Sequence, residues 1–162
     1  MKNNSSDIYK LSEKVICEMI NKRLTLGIAE SLTGGGLAYY LTSVPGSSKV
    51  LKGGIIAYGT PIKIGLLGVN SETIENCGVV SMEVAIEMAI GIRIRTASNI
   101  GIGVTGYAGP EGGDDFAPIG RVYWGVAIPS GYSNLELNLK GERNEIREEA
   151  IKRGLEFLLD KL

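Results

Sequence analysis

Residues 100–106, IGIGVTG, form an unbroken apolar run between a helical pattern and a glycine-rich stretch. A strand with no polar face belongs in the middle of a sheet covered on both sides, which calls for helices above and below it. The rest of the chain supplies them. Ile8, Leu11, Val15 and Met19 recur at helical spacing over residues 7–22, with Asp7 as a candidate N-cap. TLGIAE (25–30) and GGIIAY (53–58) read as short buried strands, with a helix over 34–42 between them. GTPIKIGLL has the form of a helix start, with Thr60 as cap and Pro61 at the first helical position.

A longer helix is expected over 81–97, where Val84, Ala85, Met88, Ala89 and Ile92 share a face. RVYWGVAIP (121–129) and the alternating LELNLK (135–140) read as neighbouring strands, the last with one wet face. A final helix is expected from Glu142 to Leu162. Helices between the early strands imply parallel pairing through right-handed crossovers, and the closely spaced late strands imply antiparallel neighbours. The expectation is an α/β fold: a three-layer α/β/α sandwich with a mixed sheet of about five strands, one domain over residues 1–162.

Composition narrows the function classes. The net charge is −1 with no dense Lys/Arg run, which disfavours nucleic acid and membrane surfaces as partners. No apolar run approaches the roughly 18 residues of a membrane span. MKNNSSDIYK lacks an apolar signal region, and Cys17 and Cys77 make neither a disulfide framework nor a zinc spacing, so a reducing, cytoplasmic setting is expected. Cys77 reads as a small packing residue more readily than as a reactive thiol, and Asp114–Asp115 as a solvated loop more readily than as a metal site.

The chemistry concentrates at three strand ends, where open α/β sheets bind ligands. AESLTGGG (29–36) offers Ser31, Thr33, Gly34 and Gly35; Tyr58 ends the second strand; TGYAGPEGG (105–113) follows the third. The chain has no histidine, so a Ser–His triad is excluded and any activated serine needs another base. Lys63 suits that role if burial or the helix dipole holds it neutral, but a first-turn lysine also snorkels readily into water. Tyr58 can orient Ser31 or simply pack. Gly34 and Gly35 can present amides to an oxyanion or phosphate, or serve a turn capped by Thr33. Glu30 can anchor that turn or bind substrate hydroxyls. The loop 105–113 matches neither a Walker loop nor a dinucleotide fingerprint.

AESLTGG, PGSSKVLKGGIIAY, Lys63 five residues beyond that tyrosine, GVVSMEVAIEMA, GVTGYAGPEGG with PIGRVYWGVA, and GERNEIREEA occur in a fixed order. Together, over about residues 7 to 160, they resemble the CinA C-terminal domain family, the nicotinamide-nucleotide amidohydrolases. The resemblance implies a three-layer domain that deamidates nicotinamide mononucleotide to nicotinate mononucleotide and ammonia in pyridine-nucleotide salvage. It implies Ser31 as nucleophile, Lys63 as its base and Tyr58 in support, with no metal or cofactor, and a homo-oligomer. Substrate contacts are expected from Glu30, Thr33, Gly34, Gly35, Thr105, Gly106, Ala108 and Gly109, with Ser47, Ser48 and Arg143 as phosphate candidates. Larger relatives carry an additional N-terminal pyrophosphatase-type domain, for which no room is expected here.

The chain departs from the family pattern at Thr60, commonly Asn, at Ala117, often Lys, and at Tyr107, usually aliphatic. These departures keep two alternatives open: a nucleotide-binding module without turnover, and hydrolysis of a different amide or ester.

Overall fold

The computed structural model describes the backbone of residues 2–162 and the side chains of residues 5–162. The chain runs α1 (Lys2–Asn21), β1 (Leu26–Glu30), α2 (Gly36–Thr42), β2 (Leu51–Ile56), α3 (Thr60–Leu67), α4 (Ser71–Cys77), α5 (Met82–Thr96), β3 (Ile100–Gly106), β4 (Arg121–Ile128), β5 (Gly131–Asn138) and α6 (Arg143–Leu159), with a short 3-10 turn at Ser47–Lys49 before β2. The five strands lie in the order β2-β1-β3-β4-β5. β1 pairs in parallel with both β2 and β3, while β3–β4 and β4–β5 are antiparallel. This is the mixed, doubly covered sheet that the apolar run at 100–106 called for.

On one face, α1, α2 and α6 close over Ile28, Ile102, Val104, Val122 and Trp124. On the other, α5 lies across the sheet with α3 beside it, over Ala29 and Ala57. The approach of α5 is set by missing side chains: a Cβ on Gly101, Gly103 or Gly125 would collide with the carbonyl of Ala89 or Ala85. Glycine here admits a helix backbone onto a strand backbone. β5 alternates between exposed and half-buried positions, as LELNLK predicted. Among the described residues no helix is long and apolar enough to cross a membrane.

Several boundaries differ from the expectation. α1 begins at Lys2, which puts Asp7 inside the helix and not at its cap. α2 starts at Gly36, because Gly34 and Gly35 both take positive φ (58° and 91°) and form the turn before it. The cap of α3 is Gly59, which makes Thr60 the first helical residue and Lys63 the fourth. Residues 71–77 form a helix, α4, not anticipated from the sequence; Asn70 caps it, its side chain accepting from the Glu72 N–H. Cys77 ends that helix.

Candidate active site

Parallel pairing places the carboxyl ends of β2, β1 and β3 side by side, with Glu30 opposite Ile56 on one flank and Val104 on the other. Beyond those ends opens a cleft of about 340 Å3, lined by Ser31, Tyr58, Lys63, Thr105, Ala108 and Arg143 among others. Ser31 sits at its floor, 8% exposed, its own N–H held by the Val104 carbonyl so that it continues the strand pairing. Lys63 reaches it from α3. The amine lies 3.0 Å from Ser31 Oγ, 2.7 Å from the Ala57 carbonyl and 3.4 Å from the Tyr58 carbonyl.

Lys63 is 2% exposed and makes no ion pair among the described residues. Burial lowers its pKa from 10.5 to about 8, since the cation loses hydration and gains no opposite charge. The snorkelling alternative is thereby set aside. A neutral amine in this position has two N–H donors for two carbonyls and one lone pair for the serine hydroxyl.

The turn between β1 and α2 is braced from both sides. Glu30, 1% exposed, accepts from the N–H groups of Gly35, Leu37 and Ala38 at 3.0, 3.1 and 2.9 Å. Of its two expected roles, anchoring the turn is the one the geometry shows. The capping alternative weighed for Thr33 is not seen: the Glu30 carboxylate does that work, and the buried Thr33 hydroxyl has no partner among the described residues. On the other side Arg147 of α6 donates to the carbonyls of Leu32 (3.0 Å) and Thr33 (2.9 Å). Arg147 escaped the sequence reading. The available signal was its spacing from Arg143 in GERNEIREEA, one helical turn, which turns both guanidinium groups toward the strand ends.

At the mouth, Arg143 donates to the Tyr58 hydroxyl at 2.7 Å and to the Gly109 carbonyl at 2.8 Å, bridging the second and third strand-end loops. The Tyr58 hydroxyl is thus engaged with Arg143, and it is the Tyr58 carbonyl that supports Lys63. Thr105, expected as a substrate contact, lines the cleft while its hydroxyl donates to the Val79 carbonyl. Gly106 and Ala108 line it as well. Gly109 contributes its carbonyl to Arg143 and lines an adjoining hollow with Pro110 and Ile119.

Ser47 and Ser48 are not part of this cleft. They lie in the 3-10 turn ahead of β2, at the amino end of that strand, whereas the cleft opens at the carboxyl ends. Gly34 and Gly35 are corrected as amide donors: the Gly34 N–H is taken by the Ser31 carbonyl and that of Gly35 by Glu30.

The residues that depart from the family pattern are accounted for locally. Tyr107 lines the cleft and donates its hydroxyl to Asp114 at 2.8 Å; burial and this acidic partner push its pKa up to about 12. Burial works against ionisation of Asp114, yet the hydrogen bonds from Tyr107, Ala117 and Phe116 hold its carboxyl below the ordinary range. Asp114 is a loop brace, and no cluster able to hold a metal occurs among the described residues. Ala117 is fully buried and Thr60 lines the cleft.

Comparison with known proteins agrees with this architecture. The family model described as CinA C-terminal domain matches residues 8–162. A protein of Halothermothrix orenii named for competence-damage induction is 49% identical over 134 residues, covering 82% of this chain and 32% of its own length. The chain spans about a third of the length of the curated relatives it matches. The crystal structure of the competence/damage inducible protein CihA from Agrobacterium tumefaciens superposes with a TM-score of 0.91 at 35% identity, covering 95% of this chain and 94% of that one. A CinA superfamily protein from Escherichia coli superposes with a TM-score of 0.93 at 32% identity, over 97% and 92% of the two chains. With the fold, the ordered motifs and the whole length from residue 8 in agreement, the chain belongs to the CinA C-terminal domain family.

Proposed function

We propose that this domain is a Ser/Lys amidohydrolase that converts nicotinamide mononucleotide to nicotinate mononucleotide and ammonia. The observation that carries the reading is a buried lysine without a counter-ion, 3.0 Å from a serine hydroxyl at the floor of a cleft. A structural lysine would have its charge matched or solvated. One whose pKa is brought to about 8 supplies the base that the histidine-free chain otherwise lacks. The nicotinamide substrate follows from the ordered family motifs, and the cleft volume of about 340 Å3 is of the size that holds a small ligand.

In this scheme Ser31 Oγ attacks the carboxamide carbon as its proton passes to neutral Lys63 and the carbonyl π pair moves onto oxygen. The tetrahedral species collapses, the C–N bond breaks, and the nitrogen leaves as ammonia with the proton from Lys63. Water then gives a proton to Lys63 and adds to the acyl-Ser31. Cleavage of the C–Oγ bond returns that proton to Ser31 and releases the carboxylic acid, which ionises by giving its proton to the ammonia formed. Arg143, exposed at the mouth, is the candidate for the substrate phosphate, exchanging its bond to Tyr58 for charge-assisted ones. No metal or cofactor enters these steps. A cytoplasmic setting and a homo-oligomeric state belong to the same reading.

The test is release of ammonia and nicotinate mononucleotide from nicotinamide mononucleotide by the parent, Ser31→Ala and Lys63→Arg. Turnover by the parent alone is expected, because a guanidinium cannot shed its proton near neutrality. Activity retained in Lys63→Arg removes the lysine from the mechanism. Tight binding of the nucleotide with no ammonia from the parent favours the binding-module alternative.

A further inference from the structure

Backbone hydrogen bonding around the nucleophile can be accounted for group by group. The Ser31 N–H goes to Val104, Gly34 to Ser31, Gly36 to Thr33, and those of Gly35, Leu37 and Ala38 to the Glu30 carboxylate. Two consecutive groups remain, the N–H of Leu32 and of Thr33, which donate to no acceptor among the described residues. Both residues are buried, at 3% and 0% exposure, and Leu32 lines the cleft beside Ser31. Adjacent unpaired buried donors next to a nucleophile are expensive unless something negative comes to meet them.

The orientation of these donors is imposed by Arg147. A trans peptide points its C=O and N–H in opposite directions, so a group that grips the carbonyl aims the amide. Arg147 grips the carbonyl of Leu32, which turns the Thr33 N–H away from α6. It also grips that of Thr33, whose peptide partner, the Gly34 N–H, closes onto the Ser31 carbonyl. That last bond in turn directs the Leu32 N–H outward from the turn. Asn144 takes a further Arg147 nitrogen at 3.1 Å, and no carboxylate pairs with the guanidinium among the described residues. A Cβ on Gly34 would come within 3.2 Å of the guanidinium, so that glycine leaves Arg147 room to reach the turn.

We infer that the Leu32 amide, which lines the cleft beside Ser31, is the oxyanion donor of the reaction and that Arg147, which grips the Leu32 and Thr33 carbonyls of the same turn, is its positioning residue. This rests on the Ser/Lys reading for the nucleophile and adds the electrophilic half of the site. Arg147 acts on that amide through the Thr33 carbonyl, the Gly34 N–H and the Ser31 carbonyl in turn, and it does not itself line the cleft.

The experiment compares the parent, Arg147→Ala, Arg147→Lys and Ser31→Ala in two assays. One is deamidation of nicotinamide mononucleotide. The other is binding of 3-pyridineboronic acid, in which an Oγ–B bond forms, boron becomes tetrahedral and anionic, and the serine proton passes to Lys63. Arg147→Ala is expected to lower kcat by about 100-fold, as for loss of an oxyanion donor, with KM within about threefold. Boronate affinity should fall in parallel, while the pH at which activity rises stays where Lys63 sets it. Arg147→Lys, able to reach one carbonyl, should fall between and serves as the folded variant if the alanine form does not fold.

A folded Arg147→Ala protein with kcat and boronate affinity both within threefold of the parent overturns the inference. So does a kcat loss matched by an equal rise in KM. A parent that binds the boronate through Ser31 but releases no ammonia sinks the substrate reading and leaves this inference to the boronate comparison. A parent that does neither overturns both.

Discussion

Lys63 is held by two carbonyls and a hydroxyl, groups that fix an amine in place without matching its charge or restoring its hydration. If the neutral form is the base, kcat/KM should rise about tenfold per pH unit up to about pH 8 and level off above, in an initial-rate profile. The same burial acts on stability. Because the folded-state pKa lies below the unfolded value of 10.5, the unfolded chain binds more protons between about pH 8 and 10.5, and stability rises with pH across that window. Below pH 8 both states are protonated, and the folded one carries the full cost of a buried cation, about 3 kcal/mol before the loss of hydrogen bonds is counted. Lys63→Met is therefore expected to abolish turnover yet raise stability by about 1–2 kcal/mol at pH 7, with the gain shrinking by pH 10. Denaturant titrations at the two pH values measure it; a variant less stable than the parent at pH 7 refutes the account.

Elements were legible in the sequence where burial wrote a pattern. IGIGVTG announced β3, LELNLK the half-wet β5, and the shared face of Val84, Ala85, Met88, Ala89 and Ile92 the long α5. α4 left no such trace, since seven residues with no buried side chain carry no stripe to read. The proposed dyad was only narrowed by the residues themselves: with no histidine, lysine, a carboxylate or tyrosine remained, and the family resemblance singled out Lys63. Arg147 could not be reached, for its targets lie 114 and 115 residues away and only the packing of α6 joins them. Ser47 and Ser48 show the converse: hydroxyls in a motif do not say which end of a strand they occupy until the register is known. Packing also explains why β3 is rich in glycine. Gly103→Ala would thrust a methyl into the Ala85 carbonyl and push α5 off the sheet. The expected cost is about 2–3 kcal/mol, seen as a melting temperature lower by about 4–10 °C.

Over the whole molecule, apolar surface is distributed unevenly. The terminal helices bury their stripes against each other and the sheet, whereas Ile62, Ile64 and Leu66 of α3, Ile94 of α5 and Ile56 of the edge strand β2 stay exposed. Exposed apolar side chains on an edge strand and on the helix that follows it are suited to association. The homo-oligomer expected of this chain should form through them. Sedimentation velocity should then show Leu66→Glu with Ile94→Glu dissociating an assembly that the parent forms. An assembly that survives both substitutions places the contact elsewhere.

The central strand has a consequence for how the protein comes into being. Ser31, Tyr58 and Lys63 all precede β3 in the chain, yet Ser31 is seated by a hydrogen bond to the Val104 carbonyl, and the arginines of the third strand-end loop and the turn arrive only with α6. On the ribosome the reactive pair therefore emerges long before the strand that braces it. A nascent or truncated chain ending ahead of β3 would carry the proposed Ser31–Lys63 pair without the Val104 carbonyl, Arg143 and Arg147 that brace it. The proposed activity would in this sense depend on α6, and a chain not yet translated through that helix would lack it.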